Sequence, residues 1–145
     1  MTKILVINGP NINLLGVREP DIYGRKTYGD LIKCIKEWSE GFGTETECFQ
    51  SNHEGDIVDK IQEALGRFDG IVINPAAYTH TSVAILDALK AVGIPAVEVH
   101  ISDPMTREPF RHVSYAGMAC VKTVRGKGFE GYKEALEFLA MTVKK

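Results

Sequence analysis

Apolar residues follow two alternating rhythms along this chain. Short continuous apolar runs, stopped by glycine, proline or asparagine, occur at 3–8, 70–74 and 96–101. Each reads as a strand buried on both faces. Between them the apolar positions spread to spacings of three and four. In 28–42 they fall at 31, 32, 35 and 38, and in 56–68 Ile57, Ile61, Leu65 and Phe68 lie on one side of a helix. The rest of the chain completes the alternation. A mixed strand covers 44–51, and a helix covers 82–92 with Thr81 or Ser82 as its cap. A last strand covers 120–124, with Cys120 in the core, and an amphipathic helix closes the chain at 129–143.

Strands alternating with helices imply βαβ units and a parallel sheet covered on both faces. Five strands in this length fit an α/β, three-layer sandwich with the flavodoxin-like strand order 2-1-3-4-5. No repeat, low-complexity tract or linker interrupts the pattern, so residues 1–145 read as one domain.

Composition narrows the classes of function. The chain has 145 residues, 44% hydrophobic and 25% charged, with 17 basic and 19 acidic residues and a net charge of −2. These are ordinary globular values. There is no basic excess to neutralise phosphates, so nucleic acid is not the expected partner. The apolar run at 4–7 is shorter than a signal-peptide core, and no stretch reaches the length of a membrane span. The expectation is a cytoplasmic protein with no membrane partner. Cys34, Cys48 and Cys120 are odd in number and lack CxxC spacing, so they read as reduced thiols and not as a disulfide frame or a zinc site.

Open α/β sheets bind ligands beyond the C-terminal ends of their central strands. The segments leaving strands 1, 3 and 4 carry most of the chemistry. After strand 1 come Asn8, Asn11, Asn13, Arg18 and Tyr23. After strand 3 come Asn74, Tyr78, Thr79, His80, Thr81 and Ser82. At and after strand 4 come His100, Ser102, Asp103, Arg107 and Arg111. The connection 9–24 is long for a βα loop. It is either a shaped lid or an ordinary surface loop. Glu98 and His100 are two apart on a strand and share a face. They form either a general acid with its orienting carboxylate or a structural ion pair; His100 at the strand end favours the acid. The hydroxyls at 79, 81 and 82 serve as helix caps or as ligand donors. Taken alone, Arg107 reads as a solvated loop charge.

Other signals lead nowhere. The run 126–131 matches GxGxxG, but it follows the last strand and leaves no room for the acidic ribose partner, so it reads as a close-packed turn. His53, with Glu54 and Asp56 nearby, reads as a helix cap in a solvated turn and not as a metal site. His112 has no distinguishing context.

Taken together, the motifs GPNINLLGVREPDIYG (9–24), QSNHEG (50–55), NPAAYTHTS (74–82), EVHIS (98–102) and REPFRHVSY (107–115) resemble those of the type II 3-dehydroquinate dehydratases, in the same order across nearly the whole chain. The resemblance implies a flavodoxin-like hydro-lyase of the shikimate pathway that converts 3-dehydroquinate to 3-dehydroshikimate. It implies neither metal nor organic cofactor, and a homododecamer built from trimers. By motif position Tyr23 matches the family's base and His100 its general acid. Arg18 matches the arginine that activates the tyrosine, Asn13 a holder of the enolate-stabilising water, and Glu98 the carboxylate supporting the acid. Asn74, His80, Asp87, Ile101, Ser102 and Arg111 match substrate-binding positions, Asp87 reaching a neighbouring subunit's site. Leu86, Asp103 and Pro109 depart from the residues common in the family (arginine, asparagine and glutamate).

The chemistry of the residues agrees with that resemblance. A tyrosine has an ordinary pKa of about 10 and needs a nearby cation to act as a base near neutrality. An enolate needs donors where its charge develops, and a departing hydroxyl needs a proton. A nucleotide- or flavin-binding module would need a phosphate cradle after strand 1, where 13–15 read Asn-Leu-Leu. A scaffolding subunit would have no use for the tyrosine and arginine. A lyase acting on a related ring acid is the stronger competing expectation.

Overall fold

The computed structural model describes residues 1–17, 19–23 and 25–143, the side chains of 22 and 23 excepted. Five strands, β1 (Thr2–Asn8), β2 (Thr44–Gln50), β3 (Gly70–Asn74), β4 (Ala96–His100) and β5 (Lys122–Arg125), form one sheet in the order β2-β1-β3-β4-β5. Every pairing is parallel. This is the flavodoxin-like order expected from the sequence. Among the described residues five α-helices accompany the strands: α1 (Pro20–Tyr23), α2 (Tyr28–Gly41), α3 (Glu54–Glu63), α4 (Val83–Val92) and α5 (Glu130–Thr142).

Alternation along the strands divides the core in two. Ile4, Val6, Val72, Val97 and Val99 face α2 and α5, where they meet Leu31, Ile35, Leu136 and Leu139. Leu5, Ile7, Ile71 and Ile73 face α3 and α4, where they meet Ile57, Ile61, Ile85 and Leu89. A strand feeding both layers needs an unbroken apolar run, which is why 4–7 shows no polar alternation.

Local chemistry sets the helix ends. Thr27 and Asp30 form a reciprocal capping box at the start of α2: the Asp30 backbone N–H donates to Thr27 Oγ1, and the Thr27 N–H to the Asp30 carboxylate. Ser82, not Thr81, caps α4 by accepting from the Ile85 N–H at 3.0 Å.

Two expectations are corrected. The second long helix ends at Glu63 and does not run to residue 68. Gly66 takes a left-handed φ of 79° in the turn that follows. Before that turn the chain tightens into i→i+3 bonds, the Ala64 N–H to Ile61 and the Leu65 N–H to Gln62, which brings Ala64 onto the Ile61 face; Ala64 is buried and Leu65 is 64% exposed. The last strand begins at Lys122. Cys120 precedes it, half-buried at the end of the short helix Ala116–Ala119, where its thiol donates to the Ala116 carbonyl.

The glycine run near the C-terminus is a close-packed turn. A Cβ on Gly131 would lie 3.3 Å from Val99 and 3.4 Å from Val124. Gly126 donates to the His100 and Ser102 carbonyls, and Gly128 to that of Ile101. The turn thereby clamps the exit of β4.

Candidate active site

The exits of β1 and β3 are fixed to each other. The Gly9 N–H donates to the Asn74 carbonyl at 2.8 Å. A Cβ on Gly9 would stand 2.5 Å from the Pro75 carbonyl oxygen, so only glycine fits there. Beyond Gly9 the chain enters a short helical turn, Ile12–Leu14, through Asn11 at φ 70°. Asn52 accepts from the Asn11 N–H at 3.0 Å, which steadies that left-handed residue. Gln50, the last residue of β2, spreads its amide N–H groups over the Gly9 carbonyl, Asn52 Oδ1 and Asn13 Oδ1.

A cleft open to solvent lies over these strand ends. Of the residues singled out from the sequence, Asn74, His80, His100, Ile101, Ser102 and Arg111 line it together. Arg107 lines it too and is not the solvated charge expected. Its side chain is only 14% exposed and lies near Glu19 at 3.7 Å and Glu108 at 3.9 Å. Arg111 pairs with Glu108 at 3.1 Å across one helical turn. The guanidinium groups of Arg107 and Arg111 among the lining residues suit an anionic ligand.

Glu98 sits behind His100, 1% exposed, in the middle of the site's polar chemistry. His100 Nε2 donates to Glu98 Oε2 at 2.9 Å. Ser114 donates to the same oxygen, and Thr123 donates to Oε1 at 2.8 Å. Burial by itself raises the Glu98 pKa. The hydrogen bond and charge of the His100 ring, then Ser114 and Thr123, outweigh burial and hold the carboxyl below its ordinary value. The carboxylate therefore stays ionised and fixes the orientation of the imidazole.

His80 Nδ1 donates to the Val113 carbonyl at 2.7 Å. Burial, with His100 and Arg111 nearby, lowers its pKa against the opposing pull of that carbonyl. Neutral His80 with its proton on Nδ1 leaves Nε2 as an acceptor.

Other sequence-selected residues lie elsewhere. Asn13 is exposed, accepts from Gln50 and does not line this cleft. Asp87 is exposed on α4 and does not line this cleft. Asn8 is fully buried and bonds under the sheet to Tyr132. Arg18 and the Tyr23 side chain lie outside the described residues; the Tyr23 backbone ends α1. His53 precedes α3 without a side-chain cap bond.

The departures from the family pattern are locally satisfied. Asp103 accepts from the Met105 N–H, Pro109 starts the short helix Pro109–Arg111, and Leu86 is buried on α4.

Sequence reasoning missed Gln50, Asn52, Ser114, Thr123 and Tyr132, all of which hold site residues. Only Gln50, Asn52 and Ser114 fell within motifs already noted. Thr123 and Tyr132 carry no local signal, because each meets its partner only through the fold.

Comparison with known proteins follows the same lines. The profile of the family Dehydroquinase class II matches residues 2–140. A catabolic 3-dehydroquinase of Aspergillus clavatus is 56% identical over 142 residues, 98% of this chain and 95% of the relative. A 3-dehydroquinate dehydratase of Corynebacterium glutamicum is 51% identical over 138 residues, 95% of each chain. The crystal structure of a type II dehydroquinase from Butyrivibrio crossotus superposes with a TM-score of 0.93 at 53% identity, covering 95% of this chain and 97% of that one. With near-complete coverage, more than half the residues shared and the same fold, the chain belongs to the class II dehydroquinase family.

Proposed function

We propose that the chain is a hydro-lyase that eliminates water from 3-dehydroquinate to give 3-dehydroshikimate through an enolate. The supporting observation is the His100–Glu98 pair: an imidazole on the cleft wall, oriented by a buried, ionised carboxylate that three donors surround. That arrangement suits an acid which must deliver a proton in one direction.

In this reading Tyr23 removes the proton α to the ketone, and Arg18 favours its phenolate. Electron density moves to the carbonyl oxygen, where Asn13 holds a water that stabilises the enolate. The enolate then collapses, the carbon–oxygen bond to the β-hydroxyl breaks, and His100 protonates the departing oxygen. Ile101 and Ser102 hold the substrate carboxylate by backbone N–H groups, aided by the positive wall of Arg111. Asn74 and neutral His80 bond the ring hydroxyls. No step requires a metal or an organic cofactor.

Residues 1–145 act as one catalytic domain in this account. Asp87, exposed on α4 and away from its own cleft, completes the site of a neighbouring copy in a dodecamer of trimers. Light scattering of the protein and of Asp87→Ala, each with its activity, tests that assignment.

The decisive assay is the ultraviolet absorbance of the conjugated enone on mixing protein with 3-dehydroquinate and a chelator. Wild type should produce the rise. Tyr23→Phe should lose about 10²–10⁴ in rate, the usual contribution of a positioned acid or base, while still binding substrate. Arg18→Ala should regain part of its activity at high pH. No absorbance rise with folded wild type would point to a lyase acting on a related ring acid.

We assign the reaction to aromatic amino acid biosynthesis in the cytoplasm. The name of the Aspergillus clavatus relative supports a second assignment, breakdown of quinate. Gene deletion separates the two: aromatic auxotrophy supports the first, and loss of growth on quinate the second.

A further inference from the structure

A chain of three side chains runs beneath the sheet from α5 to the cleft. Tyr132 is fully buried on α5, and burial pushes its phenol above the ordinary tyrosine range, so it stays protonated. Its hydroxyl donates to Asn8 Oδ1 at 2.6 Å and accepts from Asn74 Nδ2 at 2.9 Å. Asn8 and Asn74 are register partners across β1 and β3. Asn74 Oδ1 accepts in turn from the Ala76 backbone N–H at 3.1 Å.

The direction of this chain is dictated by its one invariable donor. A backbone N–H can only donate, so the Asn74 oxygen must face Ala76 and its nitrogen must face Tyr132. The Tyr132 oxygen then accepts from Asn74, and its single proton goes to Asn8. Having presented its oxygen to the phenol of Tyr132, Asn8 leaves its amide nitrogen to face Tyr28, with whose hydroxyl its side chain interacts.

We infer that Tyr132 is a positioning residue for substrate binding. With the Ala76 N–H fixing which way the Asn74 amide faces, Tyr132 takes one Nδ2 hydrogen and anchors the amide so that the other is kept for a ligand in the cleft. The same amide holds Ala76 in its left-handed conformation, φ 53°, and so shapes the cleft wall that Ala76 and Ala77 form. The ligand group facing Asn74 is accordingly an acceptor, a hydroxyl or carbonyl oxygen of the ring acid. This inference rests on the dehydratase reading for its substrate and on the hydrogen-bond chain alone for its direction.

The test compares Tyr132→Phe with Leu139→Ala. Leu139 lies on the same helix against Gly70 and carries no polar atom that could join the hydrogen-bond chain. Tyr132→Phe should raise KM about five- to tenfold, the loss of roughly one neutral hydrogen bond, with kcat within about twofold of wild type. Leu139→Ala should lower the melting temperature and leave KM unchanged. An unchanged KM in Tyr132→Phe, or equal KM changes in both variants, overturns the inference. If Tyr132→Phe does not fold, Asn8→Leu decides. It keeps the phenol but removes the acceptor that aims it, so KM must rise there too, and an unchanged KM overturns the inference. Proton exchange at the Asn74 side-chain amide gives a readout independent of turnover. One hydrogen should be protected in wild type and lose that protection in Tyr132→Phe. If protection survives, the inference falls whatever substrate the protein takes, whereas an inactive wild type overturns only the dehydratase reading.

Discussion

Glu98 and Thr123 stand opposite each other in the β4–β5 ladder, and the threonine hydroxyl donates to the carboxylate at 2.8 Å. Strand pairing thus delivers a donor from residue 123 to a buried anion that His100 and Ser114 also contact. Thr123→Val keeps the shape and removes the donor. It should cost about 1.5–3 kcal/mol, the range for a hydrogen bond to a charged group.

The cost should depend on pH with a definite sign. The folded-state pKa of Glu98 lies below its unfolded value. Its stabilisation is therefore fully present above the unfolded carboxyl value of about 4.3 and is lost as pH falls through the folded value. Thr123→Val raises the folded pKa. The stability gap between wild type and variant should be widest above about pH 5 and should close in more acidic solution, as read by denaturant unfolding across pH. A gap independent of pH would mean that the threonine only fills space.

Gly117 presses on the same carboxylate. A Cβ there would come 2.7 Å from Glu98 Oε1 and 2.8 Å from Ser114 Oγ. Gly117→Ala should cost about 1–3 kcal/mol by overpacking and lower kcat by displacing the anion that orients His100. Melting temperature and steady-state kinetics on one preparation check both effects.

Gly9→Ala should be at least as damaging, because the obstacle is the Pro75 carbonyl, a backbone group that cannot rotate away. The expected result is a loss of about 1–3 kcal/mol with a raised KM, since the β1 and β3 exits must part. Wild-type values for both would show that the two exits move apart without cost.

Two thiols should be inert in the folded protein. Burial, aided by the nearby Glu98 carboxylate, pushes Cys120 up to about 12, and burial pushes Cys48 up to about 11. The thiolate is the reactive form, so neither should be alkylated at pH 8 until denaturant is added. Peptide mapping after alkylation checks this, and rapid native labelling at Cys120 would mean that the short helix Ala116–Ala119 opens.

The strand rhythm at 3–8, 70–74 and 96–101 was legible because a strand buried on both faces must be apolar throughout, and that requirement is local. The α4 cap, narrowed to Thr81 or Ser82, and the pairing of Glu98 with His100 are local in the same way, the bonded residues being two or three apart. The candidate site was legible as a set because parallel strands carry their C-terminal residues to one edge. The end of α3 was not: Ile57, Ile61, Leu65 and Phe68 keep a helical spacing, and only the tightened i→i+3 turn at 61–65 puts Ala64 in the core in place of Leu65. Arg107 was misjudged because its burial comes from Glu19 and the cleft wall, which nothing in its neighbouring sequence reveals. Sequence alone determined the alternation of strands and helices, because periodicity along the chain encodes it, and placed Asn74, His80, His100, Ser102 and Arg111 on segments leaving the strand ends, where the cleft forms. Tertiary structure alone decided how those residues are held. Thr123 reaches Glu98 across 25 positions and Tyr132 reaches Asn8 across 124, and a hydrogen bond over such a span exists only once the strands have paired and α5 has packed beneath them.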